Sequence, residues 1–319
     1  MTARLSRRQL LACTSACLGA GVAGVMSASV PAAEPPKDKH AEPFRYCLNT
    51  GTVRGHKLPL AEEAAIAAQA GYQGIEPWVE EIRRHVEGGG SLADLKKRIA
   101  DLGLCVESAI GFPTWCADDD AQRSKGLEQM KREMDLVAQI GGLRIAAPPA
   151  GAQGTPGMDL RKIGERYRAV LELGRQMGVV AQLEIWGSAK TLGRVSEAAF
   201  VAIEANHPDA CLLLDAFHIY KSGAGFAGLK MLNGAQMHVF HINDYPADPP
   251  REKATDADRV FPGDGVAPLT TALRDLHAAG FRGALSLELF NREYWKQDAL
   301  SVAKTGLEKT RAVVRKMAS

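Results

Sequence analysis

Four side chains able to bind a metal or move a proton close short apolar runs: Glu184 after Gln182-Leu183, Asp215 after Leu213-Leu214, His241 after Phe240, and Glu288 after Ser286-Leu287. A carboxylate that ends an apolar strand is costly to bury without a counter-charge. Taken singly, each has a plainer reading as the cap of the turn or helix that follows it. Taken together, three carboxylates and an imidazole at one mouth repel one another unless a cation sits among them. Three oxygens and one nitrogen suit Mn2+, Mg2+ or Co2+. One Mn2+ is the expected ion, with Mg2+, Co2+ and Zn2+ as alternatives. Glu76 and Glu107 also end apolar runs, where each fits either a substrate hydroxyl or a local cation such as Arg144.

The elements that would position these groups recur along the chain. Apolar runs span Phe44–Leu48, Gln73–Glu76, Leu104–Ser108, Leu143–Ala147, Val179–Glu184, Cys211–Asp215, Met237–Ile242 and Ala284–Glu288. Helical spacing fills most of the gaps, over Leu60–Ala70, Leu92–Leu102, Gly126–Ile140, Leu160–Met177, Arg194–Asn206 and Pro268–Ala279. Several of these helices stop at a glycine just before the next strand, which fits a left-handed helix cap. Eight strand–helix units predict a parallel sheet closed into a single-domain (β/α)8 barrel. A doubly wound open sheet is the alternative, and the missing Gly-x-Gly-x-x-Gly after the first strand counts against it. Two long connections, 111–120 and 243–265, leave the strand ends where barrel enzymes keep their sites.

Composition narrows the function classes. Of 319 residues, 46 % are apolar and 24 % charged, an ordinary globular balance. The formal charge is +2, but Arg4, Arg7 and Arg8 precede the barrel; 39 basic residues less those three leave 36 against 37 acidic ones. No basic field remains for nucleic acid or an anionic membrane. Residues 1–33 carry Ser6-Arg7-Arg8-Gln9-Leu10-Leu11 and a Gly-diluted apolar stretch, which reads as a twin-arginine signal peptide cleaved near Ala32-Ala33. Residues 34–43 then form a linker, and 44–319 the barrel. The expected route is folded export to the periplasm through the twin-arginine machinery, with no membrane span in the mature protein. Cys47, Cys105, Cys116 and Cys211 show no disulfide or metal spacing. A homo-oligomer is compatible with all of this.

Ordered stretches of the sequence resemble the xylose isomerase-like barrel superfamily, in particular its sugar phosphate isomerase/epimerase and ketose 3-epimerase members. They are Gly71-Tyr72-Gln73-Gly74-Ile75-Glu76, Leu183-Glu184, Leu214-Asp215-Ala216-Phe217-His218, His238-Val239-Phe240-His241-Ile242-Asn243-Asp244, Arg259-Val260-Phe261-Pro262-Gly263-Asp264-Gly265 and Leu287-Glu288. The resemblance covers roughly residues 44–310. It implies Glu184, Asp215, His241 and Glu288 as ligands of one metal, His218 and Arg259 as substrate contacts, and Glu184 and Glu288 as the acid/base pair.

The chemistry agrees with what the resemblance implies. Isomerising a ketose removes a proton beside a carbonyl, and a bound metal stabilises the resulting enediolate as a Lewis acid. Two carboxylates on opposite sides of the sugar give epimerisation, whereas one moving the proton between adjacent atoms gives aldose–ketose isomerisation. The same enediolate can expel a leaving group, which makes a lyase or dehydratase of keto-sugars or inososes the main alternative. His218 is placed to hydrogen-bond the developing oxyanion; its plainer reading is a structural histidine beside the following helix. His238 is read as packing. Trp78, Phe112, Trp115, Trp186 and Tyr245 follow strands on the same face, where Trp115 and Trp186 with Glu76 are expected to contact substrate. A trinuclear-zinc endonuclease would need more ligating histidines than the eight present, and a non-catalytic sugar-binding barrel would not need all four ligands. Ile185-Trp186-Gly187-Ser188 stands where the free-ketose 3-epimerases carry Asn-Arg-Phe-Glu, which argues against free fructose or tagatose. No basic phosphate cradle is evident either. The expected substrate is therefore an unphosphorylated sugar or keto-sugar, with a 3-keto-glycoside as one form.

Overall fold

The computed structural model describes residues 42–318; the signal and most of the linker expected from the sequence lie outside them. Eight parallel strands form one sheet: β1 (Arg45–Asn49), β2 (Gly74–Glu76), β3 (Cys105–Val106), β4 (Arg144–Ala147), β5 (Val180–Glu184), β6 (Leu212–Asp215), β7 (Met237–Ile242) and β8 (Ala284–Leu287). Their order, β3-β2-β1-β8-β7-β6-β5-β4, runs once around a barrel. Between β3 and β4 the ladder is reduced to Ala146 N–H donating to Ala109 O at 2.9 Å. Inside, the Gln182 amide bridges to Ser108 Oγ at 3.0 Å. The third strand is shorter than the sequence predicts because the chain leaves regular pairing after Val106.

Nine α-helices clothe the described barrel: α1 (Leu60–Ala70), α2 (Val79–Glu87), α3 (Leu92–Asp101), α4 (Asp120–Gln139), α5 (Leu160–Met177), α6 (Val195–Glu204), α7 (Ala216–Ser222), α8 (Leu269–Ala278) and α9 (Ala299–Ala318). The bounds of α1 and α5 match the apolar spacing, and both end on a glycine in the left-handed region, Gly71 at φ 96° and Gly178 at φ 70°. There the missing Cβ removes the clash that any other residue would meet. Helix α4 starts earlier than its apolar pattern, because Asp119 caps it by accepting from Gln122 N–H at 2.7 Å. None of these helices is long and apolar enough to cross a membrane.

Alternation along the strands sorts the barrel interior into layers. The middle layer is apolar, with Cys47, Ala146, Leu213, Val239 and Ala284 in one buried cluster. Two residues further along β1, β6 and β7, at the C-terminal mouth, stand Asn49, Asp215 and His241. Register aligns this polar layer: Asn49 pairs with Glu76, Asp215 with His241, and His241 with Ser286.

Candidate metal centre

Asp215 both ends β6 and caps α7. Its Oδ1 accepts from His218 N–H at 2.8 Å, so the plainer reading of a strand-end carboxylate holds for that oxygen. Its Oδ2 is left for the interior, where it accepts from Asn243 Nδ2 at 2.8 Å and from Arg259 NH1 at 2.9 Å. Glu288, just past β8, accepts from Arg259 NH1 through Oε2 at 2.7 Å and from Asn49 Nδ2 through Oε1 at 3.1 Å.

His241 decides what these groups can hold. Nε2 lies 3.0 Å from Glu76 Oε2. Nδ1 is buried without a hydrogen-bond partner. It lies 3.5 Å from Glu288 Oε2, 3.8 Å from Asp215 Oδ2 and 3.9 Å from Glu184 Oε1. The ligand atoms of Asp215, His241 and Glu288 all fall within 4.8 Å of one another. Glu184 reaches His241 from the edge of that set. An orphaned imidazole nitrogen facing carboxylate oxygens is a donor set that fits one divalent cation.

The protein electrostatics describe the same pressure. Burial, followed by the charges of Glu288, Asp215 and Glu76, pushes the Glu184 carboxyl well above the usual range, although His241 opposes this. Burial also raises Glu288. Burial opposes a charge on His241, but Glu288, Glu76 and Glu184 outweigh it and raise the imidazole well above its ordinary value. Without a metal, the site therefore gathers protons to balance its carboxylates.

Beside this cluster lies a cavity of about 290 Å3. Glu184, Glu288, His218, Arg259 and Trp186 line it. An aromatic wall runs through Trp78, Phe112 and Trp186, with ring centroids 5.2 and 5.8 Å apart, and Phe290 meets Trp78 at 5.9 Å. Arg259 is 1 % exposed and lies between the Phe217 and Phe290 rings, 5.0 and 5.1 Å from their centroids. It also pairs with Asp256 at 2.6 Å. Burial first, with Arg259 adding to it, lowers His218 to about 4. That imidazole is neutral at pH 7. Larger grooves of about 920 and 760 Å3 lie away from the C-terminal strand ends, the first against α4 and the second beside α6 and the start of β6.

Two sequence expectations, Glu76 and Trp115 as substrate contacts, need correction, while Glu107 takes the local-cation alternative. Glu76 does not reach substrate: it is fully buried behind His241, where Oε2 also accepts from Ser286 Oγ at 2.6 Å and Asn49 Nδ2 at 2.9 Å. Trp115 is fully buried as well, its indole N–H donating to Pro148 O at 2.7 Å and its ring packing 6.0 Å from Tyr167, so it supports the loop from beneath. Glu107 grips Arg45 at 2.7 and 2.8 Å, at the opposite end of the barrel from the ligands. Tyr245 stacks on Tyr220 at 3.7 Å, outside the cavity. Sequence reasoning missed Asn49 and Asn243. Asn49 ends β1 and Asn243 directly follows β7, and a neutral amide at such a place carries no charge signal in the sequence.

A model of the xylose isomerase-like TIM barrel family matches residues 64–313. The chain belongs to that family. Among its relatives, the inosose isomerase of Bacillus velezensis is 34 % identical over 285 residues, covering 86 % of this chain and 98 % of that protein. The 3-dehydroshikimate dehydratase of Pseudomonas aeruginosa is 27 % identical over 73 % of this chain, but only 36 % of its own length is matched. The crystal structure of the IolI protein with a bound zinc atom superposes with a TM-score of 0.79 at 24 % identity, covering 86 % of this chain and 99 % of that one. This xylose isomerase-like barrel is thus similar in architecture to a solved structure and in sequence to an inosose isomerase.

Proposed function

We propose that the protein isomerises or epimerises an unphosphorylated keto-sugar at one divalent cation, with Mn2+ the ion its donor set suits best. The observation that carries this reading is His241 Nδ1, buried, unpartnered and turned toward three carboxylates. Asp215, His241, Glu288 and Glu184 would hold the ion. When bound, it would supply the positive charge that makes a carbon beside a carbonyl acidic. The inosose isomerase relative supports the isomerase reading, and the zinc-bearing barrel supports a metal.

Proton transfer falls to Glu184 and Glu288. Strands β5 and β8 stand three places apart around the ring, so the two carboxylates approach the cavity from different sides. Glu184 receives no hydrogen bond among the described residues, which leaves an oxygen free to take a proton from carbon. Glu288 is held by Arg259 and Asn49. His218, neutral, would meet a sugar hydroxyl with a hydrogen bond rather than a charge. The aromatic wall would cover the apolar face of the ring, and Arg259 would contact substrate only while held by Asp215, Asp256 and Glu288. Loss of a β-leaving group from the same enediolate is the second reading, favoured by the dehydratase relative.

Elemental analysis of gently purified protein tests the metal directly. Near one equivalent is expected, reduced in Asp215→Asn; metal-free protein with full activity would refute the proposal. We also propose folded export, supported by Arg7-Arg8 in the sequence.

A further inference from the structure

The barrel has a second polar layer, at its N-terminal mouth. Arg45, Arg144 and Arg282 each stand two residues before a member of the apolar middle layer, Cys47, Ala146 and Ala284. Alternation turns Arg45 and Arg144, on β1 and β4, toward the barrel axis; Arg282, just before β8, is exposed at the same mouth. With His238 they line a cavity of about 310 Å3, partly floored by side-chain-free backbone at Gly234 and Gly283.

Charge at this mouth is unbalanced. Glu107 is bound by Arg45 in a two-bond fork of 2.7 and 2.8 Å. Arg144 has one hydrogen bond, to Glu107 O at 3.4 Å. Arg282 NH1 donates only to the carbonyls of His277 and Phe281, each at 2.7 Å. Among the described residues, no other carboxylate lies within ion-pair distance of these three arginines. Two guanidinium groups, of Arg144 and Arg282, thus line the cavity bonded to carbonyls but without a carboxylate within ion-pair distance. Neighbouring groups register the field: burial first, then Arg144 and Arg45, push His238 down to about 4. Burial, with Arg45 adding and the Glu107 charge opposing, lowers Arg144 too. A half-buried cation lacking a counter-ion is costly, and guanidinium forks match tetrahedral oxyanions geometrically.

We propose that the N-terminal mouth binds a small tetrahedral oxyanion, of the sulfate or phosphate type, between Arg144 and Arg282 with His238 at the rim. This site is separated from the carboxylate cluster by the whole apolar layer, and it does not depend on the catalytic reading. Its residues are scattered over nearly the full chain, which is why no basic run marks it in the sequence.

Calorimetric titration of the metal-loaded, full-length protein with sodium sulfate tests it, using sodium chloride of equal ionic strength as reference. The wild type should show saturable binding at one site. Each of Arg144→Gln and Arg282→Gln should weaken binding by about tenfold or more, as expected for loss of a charge-assisted hydrogen bond. Arg282 is exposed, so its variant tests the site even if Arg144→Gln folds poorly. Binding should persist in Glu288→Gln. No saturable binding by the wild type, unchanged binding in both arginine variants, or loss in Glu288→Gln with retention in the arginine variants would overturn the proposal.

Discussion

Glu76 fixes the tautomer of His241. Their 3.0 Å contact engages Nε2, so the ring's other nitrogen, Nδ1, is the one offered to Asp215, Glu288 and Glu184. Burial opposes a charge on Glu76, but His241 and the hydrogen bonds from Ser286 and Asn49 outweigh it and hold the carboxyl below its ordinary value. An ionised Glu76 holds a proton on Nε2, so that Nδ1 is the nitrogen that would offer its lone pair to a bound cation. This is the usual arrangement of a metal-ligating histidine.

Glu76→Gln removes that control while preserving shape. Metal affinity should fall by about 10–100-fold, with the far-ultraviolet circular dichroism unchanged. Unaltered affinity in a competition titration would show that His241 does not use Nδ1.

The fold was legible because each strand is a short apolar run, and several helices stop at a glycine. Site legibility followed residue type. Glu184, Asp215, His241 and Glu288 stood out as charges on apolar strands, and each has a counterpart in the interior layer. Glu76 carries the same signature but backs up His241, and only three-dimensional proximity separates a ligand from the group behind it. Trp115 and Trp186 both follow strands on the catalytic face. One points under the loop and the other into the cavity, a difference that depends on the path of the connection rather than on periodicity. Helix α7 is two turns long, too short to show periodicity.

Those two tryptophans should separate cleanly. Trp186→Ala should raise KM with kcat nearly unchanged, since the ring lines the cavity without touching the carboxylates. Trp115→Ala should cost about 3–5 kcal/mol of stability, as for other buried aromatic truncations. Chemical denaturation and steady-state kinetics on both variants check this, and a reversed pattern would place Trp115 in the substrate site.

Glu63 sets a pH dependence of stability. Burial, then the charge of Glu81, raises its carboxyl to about 9, and Glu63 Oε2 and Glu81 Oε1 are both buried without a hydrogen-bond partner. A carboxyl raised in the folded state gives stability that is full below its unfolded value of about 4.5. That contribution is lost as pH climbs through 9. Glu63→Gln should therefore melt about 3 °C or more above wild type at pH 9 and show little advantage at pH 4.5. Parallel melting curves at both pH values would contradict this.

Changing Arg7 and Arg8 together to Lys should trap the precursor inside the cell, because the twin-arginine pathway reads that pair. Cell fractionation with antibody detection reads the outcome. Undiminished export would assign the segment to the general secretory route.

Solvent exchange at the substrate carbon tests the central proposal most directly. Metal-loaded wild type incubated in D2O with a panel of keto-sugars and keto-glycosides should place deuterium beside the carbonyl of its substrate, as read by NMR. Glu184→Gln and Glu288→Gln, assayed at saturating metal, should each slow turnover by about 10²-fold or more, with at most one of them still exchanging deuterium. Wild-type turnover in both variants with metal retained would contradict the account, leaving these carboxylates as ligands only and sending the search for the base to His218.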